Sequence, residues 1–207
     1  MFRLHFMLLA CLATTSACGS VGSLTVVDPM GARGPELAGL DLSNADLAGE
    51  LLVQADLTGS VLNGADLRGA DLTGASLDLA VLIDADLSGA RMEGAHLFGV
   101  DLTRATMDGA HLAEINLKDA WLHSASIVGA DLRRSMLVGA NLTEVDLHDS
   151  DLTNARMARA NFTGANLAGT TLHGAILVGA TYRMANFSGT DLSGRDHTGA
   201  DFSGALL

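Results

Sequence analysis

The stretch Ala65-Asp66-Leu67-Arg68-Gly69-Ala70-Asp71-Leu72-Thr73-Gly74 states one five-residue unit twice. The next five residues, Ala75-Ser76-Leu77-Asp78-Leu79, keep its Ala and Leu while the other three positions change. Stepping by five from Leu37 to Leu207 gives 35 positions, and Leu, Met, Ile or Phe fills 33 of them. The two exceptions are Tyr182 and His197. A second series lies two residues earlier, from Leu40 to Ala205, and Ala fills 23 of its 34 positions. Asp or Asn often stands between the two series, as at Asp66, Asp71, Asn161 and Asn166. Gly fills 20 of the 34 positions two residues after the Leu series, from Gly39 to Gly204. The phase never slips.

A period of five suits neither a helix, with its 3.6-residue turn, nor a flat strand, with its period of two. A helix would spread these leucines over every side, and a long strand would flip them between faces. The period suits a chain that turns a corner once per unit and keeps Leu and Ala facing one axis. Gly near each corner fits a turn position with positive φ, and Asp or Asn beside it can hydrogen-bond local backbone. On these residues the chain resembles the pentapeptide-repeat family, over about four-fifths of its length. The resemblance implies an all-β fold, a right-handed quadrilateral parallel β-helix of about eight to nine coils. It further implies four repeats per coil, Ala and Leu inward, and coils stacked about 4.8 Å apart, the spacing of strands in a sheet. Some members of the family imitate DNA and bind a type II topoisomerase, which makes that activity one expectation here.

Composition agrees with a thin, regular core. Apolar residues make up 48% of the chain and aromatics only 4%, so the interior relies on Ala and Leu. The net charge is −12 and Lys118 is the only lysine. Direct nucleic-acid binding is not expected of such a chain, because phosphate contacts supply most of that affinity.

The first residues read differently from the repeat. Arg3 precedes an apolar run from Phe6 to Ala13 and then the small residues Thr14 to Ala17. This is the pattern of a secretory signal over residues 1–17, too short to span a membrane. Leu8-Leu9-Ala10-Cys11 and Thr15-Ser16-Ala17-Cys18 both resemble a bacterial lipoprotein signal. The second is better placed, which makes Cys18 the expected lipidation site and the lipid the expected membrane anchor. Ordinary secretion after Ala17 is the alternative. Residues 18–36 read as a flexible tether, being rich in Gly and Ser and holding both prolines, and residues 37–207 as the solenoid.

Four repeats per coil place residues 20 apart on one face, so the rod has four faces, named here for Leu42, Leu47, Leu52 and Leu57. The Leu47 face is the most acidic, through Asp46, Asp66, Asp86, Asp108, Asp146 and Asp149. A ladder of carboxylates repels itself unless hydrogen bonds or counter-ions offset it. Asp is also the turn residue of the repeat, which explains most of them without a function. The Leu57 face is the least acidic and places Phe98, Met136, Val138, Ile176 and Val178 outward. Trp121, the only Trp, is outward on the Leu42 face. Exposed apolar clusters and a surface Trp mark partner sites, although scattered apolar surface residues are ordinary.

The register gathers no His cluster for a metal, no phosphate-binding loop and no nucleophile–base pair in a cleft. No catalytic residue, metal or cofactor is expected. In the unit Arg195-Asp196-His197-Thr198-Gly199, Arg195 and His197 take the two inward slots, which predicts a loosened coil there. The inward Phe202, Ala205 and Leu207 at the last coil predict either a homodimer joined through that coil or a frayed end. Two functional expectations result. One is an exported, lipid-anchored, non-catalytic structural or protein-binding scaffold of the cell envelope with an unidentified protein partner. The other is an acidic DNA mimic that inhibits a DNA-binding enzyme.

Overall fold

The computed structural model describes residues 34–207. The period of five becomes a period of 20 in space. Parallel bridges join every residue before a Leu-series position but Thr171 to the residue 20 further on, from Glu36 with Asp56 to Asn186 with Leu206. The chain therefore winds as a right-handed quadrilateral β-helix of between eight and nine coils. A regular bridge is made by two backbone bonds. Leu42 N–H donates to Val61 O at 2.7 Å, and Val61 N–H donates to Leu40 O at 2.8 Å.

The corners explain the sequence bias. All 34 positions two residues after the Leu series, from Gly39 to Gly204, have positive φ: 20 are Gly and 14 are not. With Ala45 N–H donating to Leu42 O at 3.0 Å, the four residues Leu42–Ala45 close a turn whose third residue must be left-handed. Positive φ at that position alone is the signature of a type II turn, which Gly enters at least cost.

The Asp and Asn residues serve the same corners. Asp41 Oδ1 accepts the N–H of Ser43 at 3.0 Å, and Asp71, Asp101, Asp151 and Asn161 do the same two residues on. Where that residue is Val81, His96 or Ser126, the N–H two further on is served from the preceding coil. Asn63 binds Ile83 N–H, Asp78 binds Phe98 N–H and Asp108 binds Val128 N–H. A turn N–H gains from a partner, and at these corners the sequence supplies one by either route.

The inward series form one continuous core. From Leu52 to Phe187 every residue of the Leu series is at most 1% exposed. Four hydroxyl residues, Ser60, Ser135, Ser150 and Thr170, occupy buried Ala slots. Ser150 opens a corner of the coil below it. Its hydroxyl donates to Ile127 O at 2.6 Å and accepts Ala130 N–H at 3.1 Å, standing in for the direct turn bond.

The coil loosens where Arg195 and His197 enter the inward slots, as their polarity predicts. The bridge that would join Thr171 to Asp191 is missing, and Leu192 is only half-buried. Arg195 turns its guanidinium to Ser193 O, and its Nε is left buried without a partner. His197 is exposed, with Nδ1 2.9 Å from Arg195 O. Pairing resumes at Asp196 with Ile176 and Asp201 with Thr181.

Candidate interaction surfaces

A rod built this way offers side chains in three outward columns per face, and the column decides what a side chain can do. Residues just before the Leu series sit in the bridges. Residues just after it crown the turn. Residues at the positive-φ corner project farthest, as Leu79 does at 59% exposed and Met184 at 68%. Neighbouring corner side chains pair when both are charged: Arg104 with Asp84 at 2.6 Å and Arg134 with Glu114 at 2.7 Å.

On the Leu47 face, Asp46, Asp66 and Asp86 stand in one column as successive bridge partners. Their repulsion is offset in two ways. Each carboxylate accepts the turn N–H two residues on, from Ala48, Arg68 and Ser88. Arg68 also lies across the column, chelating Asp66 and reaching Asp86 at 3.8 Å. That guanidinium holds the Asp66 carboxyl below the usual carboxylate range, chiefly through the hydrogen bond. The column then turns neutral at Thr106 and Ser126 before Asp146. Asp108 lies one column over, bonded to Ser126 Oγ at 2.6 Å, and Asp149 is a corner residue. The six acidic candidates thus fall in two groups, Asp46, Asp66, Asp86 and Asp108 in successive coils and Asp146 with Asp149, separated by the uncharged unit Ser126–Gly129.

Asp146 and Asp149 line a shallow, open groove with His148, Asn166, Asn186 and Ser188. Amides run down it, Asn186 Nδ2 to Asn166 Oδ1 at 3.2 Å and Asn166 Nδ2 to Asp146 Oδ1 at 2.9 Å. The same Asp146 oxygen lies 2.8 Å from His148 Nδ1 and raises the imidazole pKa above its ordinary value. Among the described residues no three His, Cys, Asp or Glu side chains come together as a metal site.

The Leu52 face is an ion-pair surface. Arg91 lies between Asp71 and Glu93, and Arg133 between Asp131 and Asp151.

The Leu57 face is different. Phe98 is 39% exposed with Lys118 Nζ 5.6 Å from its ring centroid, an arrangement in which a cation meets the negative ring face. Leu79, one coil before Phe98, is exposed on the same face. It occupies a corner that Gly usually fills, and that departure from the repeat was the signal for it in the sequence. Further along, Met136, Arg156 and Ile176 are successive bridge partners in one column. Ile176 is exposed, and Met136, Val138 and Val178 are half-buried. From His96 to Gly179 this face carries three cations, Lys118, Arg156 and Arg159, against one carboxylate, Asp119.

Trp121, 56% exposed, stands alone on the Leu42 face, bridged to Asp101 and Asn141. At the last coil Phe202 and Ala205 are half-buried and Leu207 is exposed. Cys18 and the signal segment lie outside the described residues.

The model of the pentapeptide-repeat family matches residues 36–74, 61–97, 75–113, 115–154, 140–179 and 185–207. A comparison with curated proteins gives no match. Among solved structures, the chain is similar to HetL, a pentapeptide repeat protein involved in heterocyst differentiation regulation from the cyanobacterium Nostoc sp. strain PCC 7120. The identity is 31%, 90% of each chain is covered and the TM-score is 0.35. It is similar to full-length QnrB1, a plasmid-mediated fluoroquinolone resistance protein, at 17% identity over 85% of this chain and 92% of that one, with a TM-score of 0.38. It is also similar to Rfr23 from the cyanobacterium Cyanothece 51142, at 25% identity over 59% and 63% of the two chains, with a TM-score of 0.28.

Proposed function

The chain belongs to the pentapeptide-repeat family, and on that premise we propose that it is a non-catalytic, protein-binding scaffold of the cell envelope. It is exported, anchored by a lipid on Cys18, and engages its partner through the Leu57 face. The observation that carries the binding surface is the Met136–Arg156–Ile176 column with Val138 and Val178 beside it. Apolar side chains there recur at outward positions in nearby coils. An apolar surface of that kind is a partner site rather than a solvated face. Export and anchoring rest on the Arg3, Phe6–Ala13 and Thr15–Cys18 pattern.

The DNA-mimic alternative has less support. Duplex DNA presents a charge about every 1.7 Å along its axis, whereas a stacked Asp column offers one about every 4.8 Å. Here Arg68 offsets part of even that column, and Thr106 and Ser126 interrupt it.

One experiment in cells tests both parts, with a photo-crosslinking residue at Ala158 on the Leu57 face. The chain is expected in the membrane fraction, and Cys18→Ala should release it. A crosslinked partner band is expected, and Met136→Glu with Ile176→Glu should abolish it without lowering the melting temperature. Wild-type chain retaining Met1 in the cytosol would remove the envelope assignment, and an unchanged band in the double variant would remove the surface.

A further inference from the structure

Three arginines among the described residues form no ion pair, Arg156, Arg159 and Arg195, and of these Arg195 turns its guanidinium to Ser193 O. Arg68, Arg91, Arg104, Arg133, Arg134 and Arg183 each have a carboxylate within 4 Å. Among the described residues Arg156 and Arg159 form no ion pair, and both are exposed. This occurs in a chain of net charge −12, where a carboxylate is the commonest charged neighbour. The two cations lie in a single coil. The coil before them presents Met136 and Val138, and the coil after presents Ile176 and Val178. Arg159 leans toward that later coil, its Cγ lying over Gly179. Along the rod axis the surface thus reads apolar, doubly cationic, apolar.

We propose that this strip is the docking site for an acidic amphipathic helix of a partner protein, lying along the rod axis. The proposal rests on the Leu57-face reading above and adds the chemistry of the occupant. Unpaired guanidinium groups between apolar side chains select carboxylates between apolar side chains. Spacing selects the helix. Coils repeat about every 4.8 Å, and a helix brings side chains back to one face about every 5.4 Å. Over the two steps from Met136 to Ile176 the mismatch is only about 1.2 Å, within side-chain adjustment. An extended segment returns to the same face about every 6.6 Å and falls out of step by about 3.6 Å over the same distance. The sequence that fits has apolar residues at i and i+7 and acidic residues at i+3 and i+4. An anionic lipid surface is the less favoured occupant, because Met136, Val138 and Val178 are half-buried and the chain as a whole is repelled by such a surface.

The test uses the full chain with Cys18→Ala and two labelled helical peptides. Both carry Leu at i and i+7; one has Glu and the other Lys at i+3 and i+4. Fluorescence anisotropy should show the Glu peptide binding and the Lys peptide binding at least roughly tenfold more weakly. Arg156→Glu with Arg159→Glu should reverse that order with circular dichroism unchanged. Equal binding of the two peptides, or no binding of either, would overturn the proposal. So would binding to phosphatidylglycerol vesicles without binding to the Glu peptide. Wild-type self-association by sedimentation that the Arg reversal abolishes, without Glu-peptide binding, would overturn it in favour of a second copy of the chain. If the peptides fail while Met136→Glu with Ile176→Glu still removes the crosslinked partner in cells, the Leu57 face remains a binding surface and only the acidic helix is wrong.

Discussion

The coils around Leu132 and the coil around Leu192 are built from the same repeat, yet only the first closes fully. Leu132 is fully buried, and its N–H donates to Asp151 O at 2.8 Å, one rung of an unbroken ladder. At Leu192 the inward neighbours are Arg195 and His197, and the rung between Thr171 and Asp191 is lost. The surrounding rungs survive. The difference teaches that one five-residue unit is the unit of stability here. A solenoid coil touches only its neighbours, so a defect stays where the inward pair is wrong.

The largest break in this comparison is to install the terminal fault at mid-rod. Leu132→Asp puts a carboxylate between the stacked Leu112 and Leu152 slots, all fully buried. Lost packing and an unpaired buried charge should together cost at least about 4 kcal/mol. Thermal unfolding followed by circular dichroism should show a sharply lowered or split transition. An unchanged melting temperature would mean that the Leu series does not form the core.

The opposite change should repair the loose coil. Arg195→Ala with His197→Leu restores both inward slots to the repeat. It removes the buried, unpartnered Nε of Arg195 and gives the Phe202 region an apolar neighbour. The gain should be about 1–2 kcal/mol, typical of replacing a locally unfavourable residue. Hydrogen exchange locates it: the Leu172 and Gly174 amides should become protected, while those around Leu132 should not change. Gains spread along the whole rod would contradict a fault confined to one coil.

Most of the fold could be read from the sequence because each slot asks one question of one residue. Leu or Ala marks inward, Gly marks the positive-φ corner, and Asp66 or Asn161 marks the turn. The loosened coil was legible at Arg195 and His197 for the same reason. What escaped depends on pairs of residues read together 20 positions apart. Asp108 serves Val128 while also accepting the Ser126 hydroxyl, and Ser150 opening the corner at Ala130 follows from a hydroxyl one coil away. On the surfaces, the sequence could place Met136 and Ile176 on one face. It could not show that Arg68 is held by Asp66 while Arg156 is held by nothing, because long side chains choose among several neighbours.

The smallest change tests what fastens the last coil beyond the loose unit. The Leu42 face holds a stack of rings there: Phe162 with Tyr182 at 5.1 Å between centroids, and Tyr182 with Phe202 at 5.0 Å. Phe187 meets Tyr182 edge-on at 5.3 Å. Aromatic pairs add about 0.5–1.5 kcal/mol each beyond their burial, so this stack holds the chain two corners after the ladder has opened. Tyr182 sits at its centre, yet its hydroxyl is buried with no hydrogen-bond partner, and burial pushes its pKa upward. An unsatisfied buried hydroxyl costs about 1–3 kcal/mol, while Phe in its place keeps the ring contacts. Tyr182→Phe should therefore raise stability by about 1 kcal/mol, net of the small void left behind. The measurement is the urea midpoint, with hydrogen exchange at Leu206, whose N–H bonds to Ala185 O. A higher midpoint with added protection at Leu206 identifies the ring stack as the fastening. A lower midpoint would mean that the Tyr182 hydroxyl has a partner in solution, and that the stack holds the coil through a polar contact at its centre.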